Sequence, residues 1–138
     1  MYDRLLVAVD HSEISARVIA AARDLALLSK GKVWVLHLLE KEVYAQMGDV
    51  PSESEQEARR AVTEGVDALR QAGVDAEGEI RPTTFGHAAR EILADAREHD
   101  ADVIIMGSRG RSDFAGTILG STAHKVIHLT DRPVLVIR

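Results

Sequence analysis

Short runs of residues suited to β-strands alternate along this chain with longer segments in which apolar residues recur at helical spacing. The strand-like runs occupy residues 4–9, 32–39, 75–82, 101–107 and 133–137, and the helical segments occupy residues 14–28, 58–69, 86–100 and 117–130. Strict alternation of this kind is typical of parallel sheets whose crossover helices cover both faces. The pattern therefore predicts an α/β fold: a single doubly wound domain with a five-stranded parallel sheet and helices on both faces.

Local composition adds detail to the individual elements. The runs LLVAV and VIIM are apolar on both faces and belong in the centre of the sheet, whereas residues 75–82 alternate apolar and polar, as an edge or half-buried strand does. Ser12 is the predicted N-cap of the first helix, because its hydroxyl can accept a hydrogen bond from an unpaired backbone N–H. Residues 40–56 are polar and contain Gly48 and Pro51, which predicts a long, mobile connection.

Length and composition narrow the class of protein. One domain over residues 1–138 accounts for the length, 46% of the residues are apolar, and 17 basic against 22 acidic residues give a net charge of −5. This mild acidity argues against general nucleic-acid binding, which needs a basic surface. The absence of cysteine excludes disulfides and thiolate metal sites. The sequence shows no signal peptide or membrane-spanning run, so we expect a cytoplasmic protein with no membrane partner.

The stretch MGSRGRSDFAGTILGST, residues 106–122, concentrates glycines and hydroxyls directly after the fourth predicted strand. These residues form two groups: Gly107 and Gly110 after the strand, and Gly120, Ser121 and Thr122 at the start of the last helix. Glycine lets backbone N–H groups approach an anion closely, and a helix start adds unpaired N–H groups and a favourable dipole. No established phosphate motif is present. Two interpretations therefore stay open, a phosphate-binding loop and a glycine-rich loop followed by a helix cap.

Asp10 ends the first predicted strand and lies opposite this stretch. In doubly wound sheets, ligands bind beyond the carboxyl ends of the strands, where the winding reverses. The first and fourth strands are expected to flank that crevice, so Asp10 and the glycine-rich stretch should face each other across it. Asp10 is predicted to contact the ligand; the alternative is a structural cap of the following helix.

The glycines also fit a longer pattern of Gly, two residues, Gly, nine residues, Gly, then Ser or Thr. Together with the flanking segments LLVAVDHSE, VWVLHLL, DVIIMGSRG and RPVLVIR, this pattern resembles the ATP-binding branch of the universal stress protein family over the whole chain. The resemblance implies the strand order 3-2-1-4-5 and a bound ATP or other adenine nucleotide. It leaves open whether Mg²⁺ is required.

The resemblance also implies which residues bind the nucleotide. The residues beside adenine and ribose would be Ala8, Val9, Asp10 and Leu38. The residues that wall the ribose side would be Met106 and Gly107. The residues that hold the phosphates would be Arg109, Gly110, Gly120, Ser121 and Thr122. His11 departs from the family pattern, since many members have glycine between the aspartate and the serine.

The histidines and serines of the chain form no recognisable catalytic group. His37, inside an apolar strand, is predicted to be a hydrogen-bonded core residue. His124 and His128 have the spacing of a metal-ligand pair, but no third ligand is evident, so a solvent-exposed helix face is favoured. Neither Ser12 nor Ser121 has a placed base or a G-x-S-x-G elbow. No residue is therefore predicted to be catalytic.

The last predicted strand lies at an edge of the sheet, where unpaired backbone groups and apolar side chains are normally covered. The simplest cover is the same strand of a second copy, paired across a two-fold axis. We therefore predict a homodimer, as the resemblance also implies, through Pro133, Val134, Leu135, Val136 and Ile137.

Three functions remain open for such a protein. The favoured one is a nucleotide-dependent stress-response sensor or adaptor with an unidentified protein partner. The second is a slow ATPase or phosphotransferase that uses the same pocket. The third is a dimeric scaffold without nucleotide, against which the intact glycine pattern argues.

Overall fold

The computed structural model describes residues 1–44, 48–51, 55–110, 116 and 118–138. The elements follow one another as β1 Arg4–Val9, α1 Ile14–Ser29, β2 Lys32–Tyr44, β3 Gly48–Pro51, α2 Glu55–Gln71, β4 Ala76–Thr84, α3 Ala88–Glu98, β5 Val103–Gly107, α4 Ser121–Leu129 and β6 Val134–Ile137. All five predicted strands and all four predicted helices are present, with shifts at their ends.

Five of the strands form one parallel sheet in the order β4, β2, β1, β5, β6. Numbered among the parallel strands alone, this order is 3-2-1-4-5, which confirms the predicted fold. The chain winds outward in one direction from β1 through β2 to β4 and in the other through β5 to β6. The winding therefore reverses between β1 and β5, and a crevice opens beyond their carboxyl ends.

Two hydrophobic cores cover the two faces of the sheet, because successive side chains of a strand point to opposite faces. On one face Leu5 and Val7 of β1 pack with α1 and α2. On the other face Leu6 of β1 packs with α3 and α4. Leu5, Leu6 and Val7 are fully buried, as expected for a central strand with helices on both sides. The doubly wound prediction is therefore confirmed.

The segment after β2 differs from its prediction. β2 continues to Tyr44, and its last residues pair antiparallel with β3, from Lys41 opposite Pro51 to Tyr44 opposite Gly48. A strand pair thus replaces part of the connection predicted over residues 40–56. Backbone groups form the hydrogen bonds of such a pair, so the pair needs no apolar pattern. The segment is polar, and the sequence therefore contained no apolar signal from which to predict the pair. Residues 45–47 and 52–54 of the same connection lie outside the described residues.

Among the described residues, no helix is both long enough and apolar enough to cross a membrane. β4 occupies the opposite edge of the parallel sheet from β6, next to β2. Its residues range from buried to exposed, which agrees with the half-buried edge strand that the sequence predicts there.

Candidate functional site

A cavity of about 430 Å³ opens at the carboxyl ends of β1 and β5, beside residues 36–40 of β2. Its walls come from the first turns of α1, the segment that follows β5 and the first turns of α3 and α4. The volume lies in the range that small-molecule sites occupy. The cavity therefore stands where the strand order predicts a ligand crevice.

Ten of the eleven residues predicted to bind a nucleotide line this cavity: Ala8, Val9, Asp10, Leu38, Met106, Gly107, Arg109, Gly110, Ser121 and Thr122. Gly120 is buried behind the wall, and its N–H donates a hydrogen bond to the Ser108 carbonyl. Gly120 is the N-cap residue of α4, with an extended backbone at φ −70° and ψ 166°. Arg111, the second arginine of the glycine-rich stretch, lies outside the described residues.

The start of α4 presents backbone amides to the cavity. The first hydrogen bond of the helix runs from the His124 N–H to the Gly120 carbonyl, at 2.9 Å. The amides of Ser121, Thr122 and Ala123 therefore precede the helical ladder, and all three residues line the cavity. Gly120 has no side chain with which to cap them. Unpaired amides at the positive end of a helix dipole form a site suited to an anion.

Gly107 has a packing role at the end of β5. A Cβ atom at this position would lie 2.9 Å from Ile14 Cγ2 and 3.2 Å from the Arg109 carbonyl oxygen. The missing side chain lets β5 end closely against the first turn of α1. This contact explains the first glycine of the pattern without a ligand.

Asp10 organises the turn between β1 and α1. Its Oδ1 accepts hydrogen bonds from the Ser12 N–H at 2.7 Å and from Ser15 Oγ at 3.0 Å, and its own N–H donates to Ser15 Oγ at 2.9 Å. Glu13 is the N-cap residue of α1 and makes no side-chain cap bond, so the predicted N-cap role of Ser12 is wrong. Asp10 thus fixes the turn while it also lines the cavity.

His37 is buried in β2 with only 3% of its surface exposed. Its Nδ1 lies 2.8 Å from the Val9 carbonyl oxygen, and because a carbonyl can only accept, Nδ1 carries the proton. This confirms the predicted hydrogen-bonded core histidine. The ring of His11 approaches it edge-on, with 5.1 Å between the ring centroids, and both histidines line the cavity.

One apolar wall of the cavity was not predicted from the sequence. Phe85, Ala88 and Ile92 line it from the end of β4 and the start of α3, and Phe85 is 66% exposed. One signal could have identified this wall: in a parallel sheet all strands end at the same edge, so the residues that follow the third predicted strand are expected near the crevice.

His124 and His128 lie on the exposed face of α4, with 6.3 Å between their stacked ring centroids. The predicted solvent-exposed helix face is therefore confirmed. Lys125, between them in sequence, is not among the residues that line the cavity, and its Nζ lies 3.4 Å from the Gly86 carbonyl oxygen.

Comparison with known proteins decides the family. The family model described as the universal stress protein family matches residues 1–138. The chain belongs to the universal stress protein family. Universal stress protein YxiE of Bacillus subtilis is 30% identical over 153 aligned residues, with 100% of both chains covered. A universal stress protein of Thermus aquaticus is 31% identical over 140 residues, again with 100% of both covered.

Solved structures of universal stress proteins have the same fold. One from Archaeoglobus fulgidus is 29% identical to this chain, with a TM-score of 0.79 and 100% of both chains covered. A structure of the Archaeoglobus fulgidus universal stress protein in complex with dAMP is 28% identical, with a TM-score of 0.77, and the match covers 99% of this chain and 98% of that one.

Proposed function

We propose that this universal stress protein binds an adenine nucleotide in the cavity and acts in the cytoplasm as a nucleotide-dependent stress-response sensor or adaptor. The observation that carries the proposal is the start of α4, where three amides outside the helical ladder open into a cavity at the switch point of the sheet. The dAMP complex of the Archaeoglobus fulgidus protein supports it, because that relative shares the fold.

The apolar end of the cavity suits the nucleoside. Ala8 and Val9 end β1, Leu38 lies on β2, and Met106 of β5 is 95% buried, with 5% of its surface exposed. Flat aromatic bases bind between such apolar side chains, and the Phe85 ring at the cavity wall offers a further apolar face. In the proposed complex Asp10 lies beside the ribose, where a carboxylate can accept hydrogen bonds from hydroxyl groups.

The opposite end of the cavity suits the phosphates. Ser121 and Thr122 offer backbone amides and hydroxyl groups at the positive end of the α4 dipole. Arg109 and Gly110 line the cavity from the segment after β5, so the lining includes a residue with a positive charge. The Gly120 amide is already bonded to the Ser108 carbonyl, so it is not offered to a phosphate. Gly120 therefore contributes only through its extended backbone at the N-cap of α4.

Calorimetric titration of the purified chain with adenosine, AMP, ADP and ATP, with and without Mg²⁺, tests this assignment. We expect affinity to rise along the series as phosphates reach the α4 amides. Equal affinity for adenosine and ATP would exclude a phosphate site. The absence of a heat of binding with all four compounds would exclude an adenine nucleotide as the ligand. ATP turnover followed in the same samples separates a sensor, which leaves ATP intact, from a slow ATPase.

We propose in addition that the protein forms a homodimer through β6, including Pro133, which precedes the strand. Among the described strands β6 pairs with β5 alone, so its outer edge offers unpaired backbone groups. Leu135 on this strand is 40% exposed, and Ile127 and Leu129 of α4 are 44% and 63% exposed. Covering an edge and apolar side chains of this kind favours association with a second copy.

Substitution of Leu135 by arginine tests the dimer. In light scattering coupled to size exclusion, we expect Leu135→Arg to shift the mass toward that of the monomer, because a charge would be buried in the interface. Leu28→Arg is the control, since Leu28 on α1 is 85% exposed and lies outside the proposed interface. An unchanged dimer in Leu135→Arg would refute pairing through β6.

A further inference from the structure

A second group of polar side chains joins β4 to the end of α3, outside the cavity. Glu79 projects from β4, Asp95 lies in α3, and His99 is the residue that ends the helix. Each offers one ligand atom, and the three atoms lie within 4.8 Å of one another. Asp95 and His99 are four residues apart, so one face of the helix carries both.

Asp95 is fully buried, which is rare for a carboxylate. Its Oδ1 accepts a hydrogen bond from Arg81 Nη1 at 2.9 Å and lies 3.6 Å from His99 Nε2. Its Oδ2 is buried and has no hydrogen-bond partner among the described residues. A buried oxygen left without a partner is costly, and the carboxylate that carries it is one of the three members of this group.

Negative charge exceeds positive charge around this oxygen. The Arg81 guanidinium is shared by three carboxylates, Asp95 at 2.9 Å, Glu98 at 3.1 Å and Glu91 at 3.3 Å. Glu79 adds a fourth carboxyl group, whose Oε1 lies 2.9 Å from His99 Nε2. One further cation would therefore be favourable here.

We propose that Glu79, Asp95 and His99 form a binding site for a divalent transition-metal ion, with Zn²⁺ as the best match. One imidazole and two carboxylates are a donor set that suits zinc, whereas Mg²⁺ and Ca²⁺ prefer oxygen ligands alone. Ligand atoms of tetrahedral zinc lie about 3.4 Å apart for bonds of about 2.1 Å. The widest pair here would have to close by at most about 1.4 Å, which rotation of the partly exposed Glu79 side chain can supply.

A metal ion at this site would cross-link β4 to the end of α3. The start of α3 lines the cavity through Ala88 and Ile92. The ion would therefore hold in place a helix that forms one wall of the ligand site. The fourth position of the metal would be open to water, because the side chains of Glu79 and His99 are partly exposed.

The chain carries its own reporter for this site. Trp34 is the only tryptophan, and its ring stacks on that of His99, with 4.7 Å between centroids and 20° between planes. A paramagnetic Co²⁺ ion bound by His99 would quench the fluorescence of Trp34. Quenching would therefore locate the ion, which a binding constant alone does not.

The full chain is first treated with a chelator. It is then titrated with Co²⁺, and Zn²⁺ is added last to displace the Co²⁺. The background is His124→Gln with His128→Gln, because that exposed pair has the spacing to bind a metal itself. We expect one equivalent of Co²⁺ to quench Trp34. Removing one ligand by Glu79→Gln should weaken binding at least about 100-fold, since the loss of a mere supporting residue costs about 10- to 100-fold.

Glu77→Gln is the matched control, because Glu77 lies two residues away on β4 and pairs with Lys32 at 3.1 Å; it should bind Co²⁺ as the background does. Thermal unfolding checks that each variant folds, and His99→Asn replaces Glu79→Gln if the latter does not. The proposal is overturned if no saturable quenching occurs, or if a folded ligand variant binds as tightly as the background.

Discussion

Replacement of Gly107 by alanine tests why the first glycine of the pattern is there. The added Cβ would lie 2.9 Å from Ile14 Cγ2, whereas ordinary contacts between carbon atoms are about 3.5–4.0 Å. The 3.2 Å approach to the Arg109 carbonyl oxygen leaves little room on the other side. The Ile14 side chain, β5 or the first turn of α1 must shift, and all of them belong to the packed core.

The expected loss of stability follows from two opposing terms. Overpacking a well-filled core costs about 1–3 kcal/mol. Alanine is favoured over glycine in a strand by about 0.5–1 kcal/mol, because glycine loses more backbone freedom on folding. The net loss should be about 1–2 kcal/mol, measured as the free energy of unfolding in urea.

A double-mutant cycle with Ile14→Ala shows whether the crowding is the cause. Ile14 is 98% buried, so its truncation alone should cost about 2–5 kcal/mol. In that background the alanine at 107 has space, and its cost should vanish or become a gain. The packing explanation fails if Gly107→Ala costs the same in both backgrounds, or if it costs nothing in the wild type.

Two further predictions concern β4. Gly78→Ala should lower the melting temperature, because its Cβ would overlap Val62 Cγ1 and lie 2.9 Å from Val66 Cγ2 on α2; an unchanged melting temperature would show that α2 is not packed this closely. For Glu79, folding raises the pKa from 4.5 to about 7, so the folded protein binds more protons in that window and stability falls as pH rises through it. In the presence of a chelator, the melting temperature of Glu79→Gln should therefore increase relative to that of the wild type as the pH rises from about 5 to about 8. Parallel curves of melting temperature against pH for the two proteins would contradict this.

The fold could be predicted because its signals are local. β1 and β5 are apolar on both faces, as central parallel strands must be, and the sequence of residues 75–82 alternates apolar and polar, as that of an edge or half-buried strand does. The antiparallel pair of β2 with β3 was missed because backbone hydrogen bonds hold it, and these leave no trace in side-chain pattern. Strand ends are for the same reason less predictable than strand centres.

The position of the candidate site could be predicted from the sequence, but the role of each residue in it could not. The strand order brought Asp10 and Ser121 to one cavity, as expected. Sequence could not show that the Gly120 amide is bonded to Ser108, or that Gly107 is required by a contact with Ile14. These facts depend on the side chains and carbonyls of distant segments. Phe85 was missed because it follows a strand whose end was placed too early.

The central claim is that bare amides at the start of α4 hold the phosphates, and Ser121→Pro tests it most directly. Ser121 is the first residue of the helix, where proline is tolerated, and the extended backbone of Gly120 suits a following proline. The variant thus removes one amide hydrogen and keeps the helix, whereas Ser121→Ala removes only the hydroxyl. We predict that ATP affinity falls about 10- to 100-fold in Ser121→Pro, the effect of one hydrogen bond to a charged group, while adenosine affinity is unchanged. Wild-type ATP affinity in Ser121→Pro would contradict the account.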